Sequence, residues 1–165
     1  MSKFHVLQYK HRRLFDTIQD VKTKRTTSFP REIKLPQRST ARSAGYDFYL
    51  TEDVKLLPHQ TTLVITDICF ECADDENLDL VIRSSLAINN SLQIINSPGI
   101  IDADYYNNEK NGGNNIVAIH NFSGTTYIAK AGEKFCQGII RNYKTTEDDE
   151  PVNEKRTGGI GSTGK

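Results

Sequence analysis

Apolar positions along the chain fall in short runs rich in β-branched residues, with turn residues between them. The runs are Thr62-Leu-Val-Ile-Thr-Asp-Ile-Cys-Phe70, Leu78-Asp-Leu-Val-Ile82, Leu92-Gln-Ile-Ile95, Ile116-Val-Ala-Ile-His-Asn-Phe122, Thr125-Thr-Tyr-Ile-Ala129 and Phe135-Cys-Gln-Gly-Ile-Ile140. Between them stand Ser97-Pro-Gly99, Asn111-Gly-Gly113, Ser123-Gly124 and Ala131-Gly132. Short strands at this spacing predict an all-β sandwich or barrel. Helical periodicity is nearly absent; the best stretch, Leu14 to Val21, is weak. The chain up to about Leu35 reads as a strand or extension plus a loop closed by Phe29-Pro30. From about Thr145 it is polar and ends in Gly158-Gly-Ile-Gly-Ser-Thr-Gly164, too poor in apolar residues to bury a core. The expected organisation is an N-terminal extension over 1–34, a β-domain over 35–144 and a C-terminal arm over 145–165.

Composition narrows the class without deciding it. The 165 residues fit one domain with a real core. Lys plus Arg and Asp plus Glu both number 21, so net charge argues for neither a nucleic-acid nor a membrane partner. The basic stretch before Arg42 and the acidic run Glu147-Asp-Asp-Glu150 read as solvated surface. Cys69-Phe-Glu-Cys72 has the spacing of half a zinc site, but no second Cys or His pair completes four ligands. Cys69, Cys72 and Cys136 therefore read as reduced core or edge residues. The N-terminus lacks the apolar core of a secretory signal, and no apolar run approaches the ~18 residues of a membrane span. A soluble, cytoplasmic protein is expected.

Five separated pieces carry chemistry. Ala44-Gly-Tyr-Asp47 sets a carboxylate beside a glycine turn. Arg83-Ser-Ser85 reads as a strand end with a cation and two hydroxyls. Gly99-Ile-Ile-Asp-Ala-Asp-Tyr-Tyr106 places two carboxylates and two phenols after a turn. Gly132-Glu-Lys-Phe-Cys-Gln137 puts an amide on a strand, and Arg156-Thr-Gly-Gly-Ile-Gly-Ser-Thr-Gly164 forms a hydroxyl-rich tail behind an Arg. Arg offers a planar fork to phosphate oxygens. Ser, Thr and Gly present hydroxyls and open N–H groups to the same oxygens. A carboxylate can take a proton from water. Taken singly, each piece has an ordinary reading as a loop carboxylate, a strand end or a polar tail. The glycines are not a P-loop, because no Lys-Ser/Thr closes them and no βαβ unit surrounds them.

In order and spacing the five pieces resemble the five sequence blocks of the trimeric dUTP diphosphatase (dUTPase) family, over about Leu35 to Gly164. Gly-Ile-Ile-Asp-Ala-Asp-Tyr and Gly-Gly-Ile-Gly-Ser-Thr-Gly are the specific pair. The resemblance implies a jelly-roll-like all-β subunit with a flexible C-terminal arm, a homotrimer and active sites between subunits. It implies hydrolysis of dUTP to dUMP and pyrophosphate, with Mg2+ held by the substrate phosphates and water, without a direct protein ligand. Asp102 matches the general base and Tyr105 the ring under the deoxyribose. Asn96 and the backbone of Gly99, Ile100 and Ile101 match the uracil-reading hairpin, with Ile116 continuing the pocket. Arg83, Ser84, Ser85 and Gln137 match phosphate contacts. Arg156, Gly161, Ser162 and Thr163 match the closing arm, and Asp47 a supporting carboxylate.

The chain departs from the family pattern in places. Ile160 stands where an aromatic usually stacks on uracil, so it can cover the base without stacking. Arg156 lies one residue closer to the glycine pair than in many relatives, and Asn107 to Asn115 is an insert after Tyr106. Two other readings are open. The dCTP deaminase family shares the fold and an Arg-Ser-Ser-Leu-Ala stretch. However, it usually has Arg where this chain has Ile88, and its Ile-Asp-Pro-Gly-Trp pattern is absent. A nucleotide-gated binding protein with a regulatory partner draws on the basic N-terminal segment and the insert.

Overall fold

The computed structural model describes residues 1–8 and 33–151. In chain order the strands are β1 (Lys3–Val6), β2 (Gln37–Arg38), β3 (Tyr46–Tyr49), β4 (Val54–Leu56), β5 (Thr61–Ile65) and β6 (Ile68–Glu71). They continue as β7 (Glu76–Ile82), β8 (Leu92–Ile94), β9 (Gly99–Asp102), β10 (Ile116–Asn121), β11 (Tyr127–Ala129) and β12 (Lys134–Asn142). A helix, α1 (Ser84–Asn90), follows β7, and a 3-10 turn, Ala103–Tyr105, follows β9. The largest sheet runs β2-β3-β12-β7-β9, and β5-β10-β8, β1-β6 and β11-β4 complete the fold. This is the jelly-roll-like, mostly-β architecture that the short apolar runs predict.

Period-two alternation decides which residues enter the core. On the large sheet, Phe48 stands opposite Cys136, and Leu78 opposite both Ile140 and Ile101. Phe48, Cys136, Leu78, Leu80 and Ile101 are all buried. The other face of the same strands carries Asp47, Gln137, Asp79, Asn77 and Asp102. In β10 the same alternation buries Val117, Ile119 and Asn121. The N-terminus is part of the core. β1 pairs antiparallel with β6, and the Phe4 ring lies 5.0 to 5.6 Å from Phe70, Tyr46 and Phe48. Buried Leu7 donates its N–H to Asp67 O at 2.8 Å.

Two features differ from the pattern-based expectation. The run Thr62 to Phe70 is two strands, broken at Thr66-Asp67, where Asp67 has φ +55° and Thr66 Oγ1 accepts the Ile68 N–H at 3.1 Å. Arg83-Ser-Ser follows the end of β7 as expected but runs on into a helix: Arg83 caps α1, and its carbonyl accepts from the Leu86 and Ala87 N–H groups. That helix has no buried residue, hence no apolar stripe to betray it. Gly99 to Asp102 follows its turn as expected and forms an edge strand. The weak helix candidate Leu14 to Val21 and Phe29-Pro30 lie outside the described residues.

Gly138 shows how tightly the sheet meets the core: a Cβ there would stand 2.8 Å from Phe48 Cε2 and 2.9 Å from Leu78 Cδ1. Gly138→Ala should lower unfolding free energy by about 1–3 kcal/mol through overpacking. Urea denaturation checks this; a midpoint equal to that of the parent chain would show that the core yields freely.

Candidate active site

Asp47 is fully buried, yet it carries a charge. Burial raises the pKa of such a carboxyl, but hydrogen bonds from Lys134, Ser39 and Gln137 outweigh it and hold the group at about 2. Ser39 Oγ donates to Oδ2 at 2.6 Å, and Gln137 Nε2 donates to Oδ1 at 3.0 Å. Lys134 Nζ stands 2.7 Å from Oδ2 and Arg83 Nε 3.4 Å from Oδ1. One carboxylate is thus set between two cations, leaving a positive excess for an anion. Arg83, Lys134 and Gln137 are each only partly buried, so their outer faces reach solvent.

A β-bulge makes this cluster. Lys134 and Gln137 are an odd number of residues apart, so in a regular strand they would point to opposite faces. In β12 the register shifts between Lys134 and Cys136, with Lys134 opposite Tyr49 and Cys136 opposite Phe48. The extra residue, Phe135, turns inward with Cys136, and Lys134 and Gln137 both reach Asp47. Gly45 makes room beside them, since a Cβ there would lie 3.1 Å from the Gln137 side chain. Arg83 joins from the end of β7, tied to β12 by its N–H to Phe135 O at 3.3 Å. The exposed hydroxyls of Ser84 and Ser85 follow it in the first turn of α1.

A second group of expected residues collects at β8–β9. Asn96 lies in the turn with its amide against Gly99, 3.8 Å from where a Cβ would sit. Ile100 is 56% exposed on the outer face, whereas Ile101 is in the core. The Ile95 N–H bonds Ala118 O at 2.9 Å, which sets this hairpin beside β10, where Ile116 begins the strand. Asp102 ends β9 opposite Asn77 and is exposed. Tyr105, in the 3-10 turn, is buried, and its hydroxyl donates to Asn114 O at 2.9 Å.

The two groups do not meet within one chain. Asp47, Gln137 and Val81 form one row across the sheet, and Asn77 and Asp102 another. Three strand spacings of ~4.8 Å and four residues at ~3.3 Å put Asp47 and Asp102 roughly 20 Å apart. Two hydrogen bonds meeting at one phosphate span only ~6 Å. Lys134 and Ser39 are members of the cluster that sequence reasoning missed. The trace of the bulge was there, in the polar-apolar-apolar-polar order of Lys134-Phe-Cys-Gln137; Ser39 had no signal. Arg156, Ile160, Gly161, Ser162 and Thr163 lie outside the described residues.

The cysteines stand apart from this chemistry. All three are free thiols, and burial pushes Cys69 and Cys72 up to about 11 and Cys136 well above its ordinary value, which disfavours the reactive thiolate. Among the described residues no group of three or more His, Cys, Asp or Glu could hold a metal ion, and no helix is long and apolar enough to cross a membrane.

Comparison with known proteins fits this geometry. The family model for dUTPase matches residues 31–164. The chain belongs to the dUTPase family. A deoxyuridine 5'-triphosphate nucleotidohydrolase of Lactococcus lactis is 38% identical over 133 residues, covering 80% of this chain and 89% of that protein. One from Helicobacter pylori is 31% identical over 134 residues, covering 79% of this chain and 88% of that one. The crystal structure of the Streptococcus mutans dUTPase superposes with a TM-score of 0.68 at 34% identity, covering 74% of this chain and 95% of its own. The dUTPase of phage phi11 of S. aureus, solved with a species-specific insert, shares the fold at a TM-score of 0.66 and 20% identity, covering 93% and 97%. Asp47, Arg83, Asp102 and Gln137 all fall within the dUTPase match.

The depressed pKa of Asp47 makes a stability prediction. Its folded value, about 2, lies below the ordinary 3.8, so its contribution is fully present above pH ~4. That contribution, about 2 kcal/mol, is lost as pH falls from ~4 through ~2. Asp47→Asn should be less stable than the parent at pH 7, and the gap should close over that window. Urea unfolding from pH 7 to 2 measures it; parallel acid profiles would count against the charged, donor-saturated carboxylate.

Proposed function

We propose that this chain hydrolyses dUTP to dUMP and pyrophosphate in sites formed between the subunits of a homotrimer, lowering dUTP and supplying dUMP for dTMP synthesis. The observation that carries this reading is the cation cluster on buried Asp47, which draws Arg83 and Gln137 together in a family of dUTP-cleaving enzymes. Asp47 does not touch substrate in this account. It fixes Arg83, Lys134 and Gln137 so that their free donors are aimed before the triphosphate arrives, which is how pre-organisation lowers a barrier. Ser84 and Ser85 add hydroxyls next to Arg83.

Asp102 takes a proton from water as its oxygen attacks the α-phosphorus. The bond from that phosphorus to the bridging oxygen breaks, and pyrophosphate leaves. Asn96 and the backbone of Gly99 to Ile101 read the uracil edge, Ile116 extends the pocket, and Tyr105 packs under the deoxyribose. Magnesium bound by phosphate and water oxygens supplies charge neutralisation. The donor set fits this role: Arg83, Lys134 and Gln137 suit phosphate oxygens, not a bare cation. Arg156, Ile160, Gly161, Ser162 and Thr163 close over the bound nucleotide. The roughly 20 Å between the phosphate cluster and Asp102 supports assembly from different subunits.

Purified protein with magnesium should release pyrophosphate from dUTP in preference to dTTP, dCTP and UTP. Asp102→Asn should lower kcat by ~10²–10⁴ while dUTP binding persists. Failure to cleave dUTP, ammonia release from dCTP, or an active Asp102→Asn variant would each overturn the assignment.

A further inference from the structure

The insert Asn107 to Asn115 folds back onto Tyr105 through a chain of asparagines. Asn108 Nδ2 donates to Tyr105 O at 2.8 Å and also to Asn111 Oδ1 at 2.8 Å. Asn111 Nδ2 donates to the Tyr105 hydroxyl at 2.7 Å, and that hydroxyl donates onward to Asn114 O at 2.9 Å. Asn108 Oδ1 accepts from the Lys110 and Asn111 N–H groups at 3.1 Å each, closing a tight turn. Gly113, with φ +80°, lies so close that a Cβ would stand 2.8 Å from Tyr105 O and 2.9 Å from Asn107 N.

The far side of the insert is anchored to the rigid scaffold. Asn114 Oδ1 accepts the Asp67 N–H at 3.2 Å, and the Asn115 N–H bonds Ile68 O at 2.8 Å. Asn108, Asn111, Asn114 and Asn115 are all buried. An insert that served only its own backbone would use its amides internally. Here two of them hold both ends of one tyrosine: the carbonyl on the chain and the hydroxyl at the tip of the ring. An aromatic ring has two soft torsions, and fixing the hydroxyl restrains both.

We infer that Asn111, backed by Asn108 and Asn114, is a positioning residue that fixes the height and tilt of the Tyr105 ring and thereby sets the enzyme's preference for deoxyribose over ribose. This rests on the proposed place of Tyr105 beneath the sugar. A ring held rigid leaves no room for a 2′-hydroxyl; a ring free to tilt admits one. Asn111 itself touches no substrate, so its effect is on selectivity through Tyr105.

The experiment compares kcat/KM for dUTP and UTP in the full chain, with thermal melting alongside. Asn111→Ala should lower the dUTP-to-UTP ratio about tenfold, the size expected for loss of one buried hydrogen bond. Tyr105→Phe removes that bond together with the hydroxyl's bond to Asn114 O, leaves the Asn108–Asn111 turn in place, and should lower the ratio at least as much. The double variant should be no more than about twofold worse in this ratio than Tyr105→Phe alone, because the Asn111–Tyr105 bond is already lost there. A ratio within about twofold of the parent in Asn111→Ala and Tyr105→Phe, even with a lower melting temperature, would overturn the inference and leave the insert a structural clasp. If Asn111→Ala does not fold, Tyr105→Phe alone decides in the same way. Failure of the underlying functional reading would look different: the parent chain would not cleave dUTP.

Discussion

A carboxylate shut away from water must be surrounded by donors and cations, and at Asp47 that requirement organises a large part of the structure. Ser39, Arg83 and the β12 pair Lys134 and Gln137 come from three separate places in the chain to meet it. The bulge in β12 exists in the same place that lets Lys134 and Gln137 share a face, and it turns Phe135 and Cys136 together into the core. Gly45 and Gly138 then stand where larger residues would collide with Gln137 or with Phe48 and Leu78. Losing one donor would leave a buried charge short of partners, which is far more costly than losing a surface ion pair. The cluster is thus both a structural knot and a fixed array of outward-facing donors.

The same sheet holds the two groups of candidate residues apart. Alternation commits one face of β3, β12, β7 and β9 to the core and the other to Asp47, Gln137, Asn77 and Asp102. The Asp47 and Asp102 ends of that face are separated by register, not by flexible loops. A conformational change would have to break the sheet to bring them together. In the proposed trimer, symmetric association would bring the two ends together without any such change, with one copy's first row facing another copy's second.

Much of this was legible in the sequence. The short β-branched runs gave the mostly-β class, and the five ordered blocks gave the family; of the residues those blocks named, Asp47, Arg83 and Gln137 meet in one cluster. The break at Asp67 was hidden because Thr66-Asp67 sits inside an otherwise continuous apolar run, and only the positive φ of Asp67 separates β5 from β6. α1 was hidden because none of its residues is fully buried and only Leu86 packs against the core as a large apolar side chain. Lys134 was hidden because strand alternation, applied without the bulge, assigns it to the wrong face. The insert read as a polar loop, since nothing in Asn107-Asn-Glu-Lys-Asn-Gly-Gly-Asn-Asn115 reveals that four of its asparagines are buried.

Subunit mixing tests the central claim most directly. Arg83→Ala and Asp102→Asn should each be inactive alone. If the cation cluster of one subunit serves the Asp102 of another, co-refolding equal amounts should restore about one quarter of parental dUTP turnover, the fraction of sites that draw both intact residues. Mixed assemblies as inactive as either variant would mean that the two residues act within one chain, contrary to the separation fixed by the sheet.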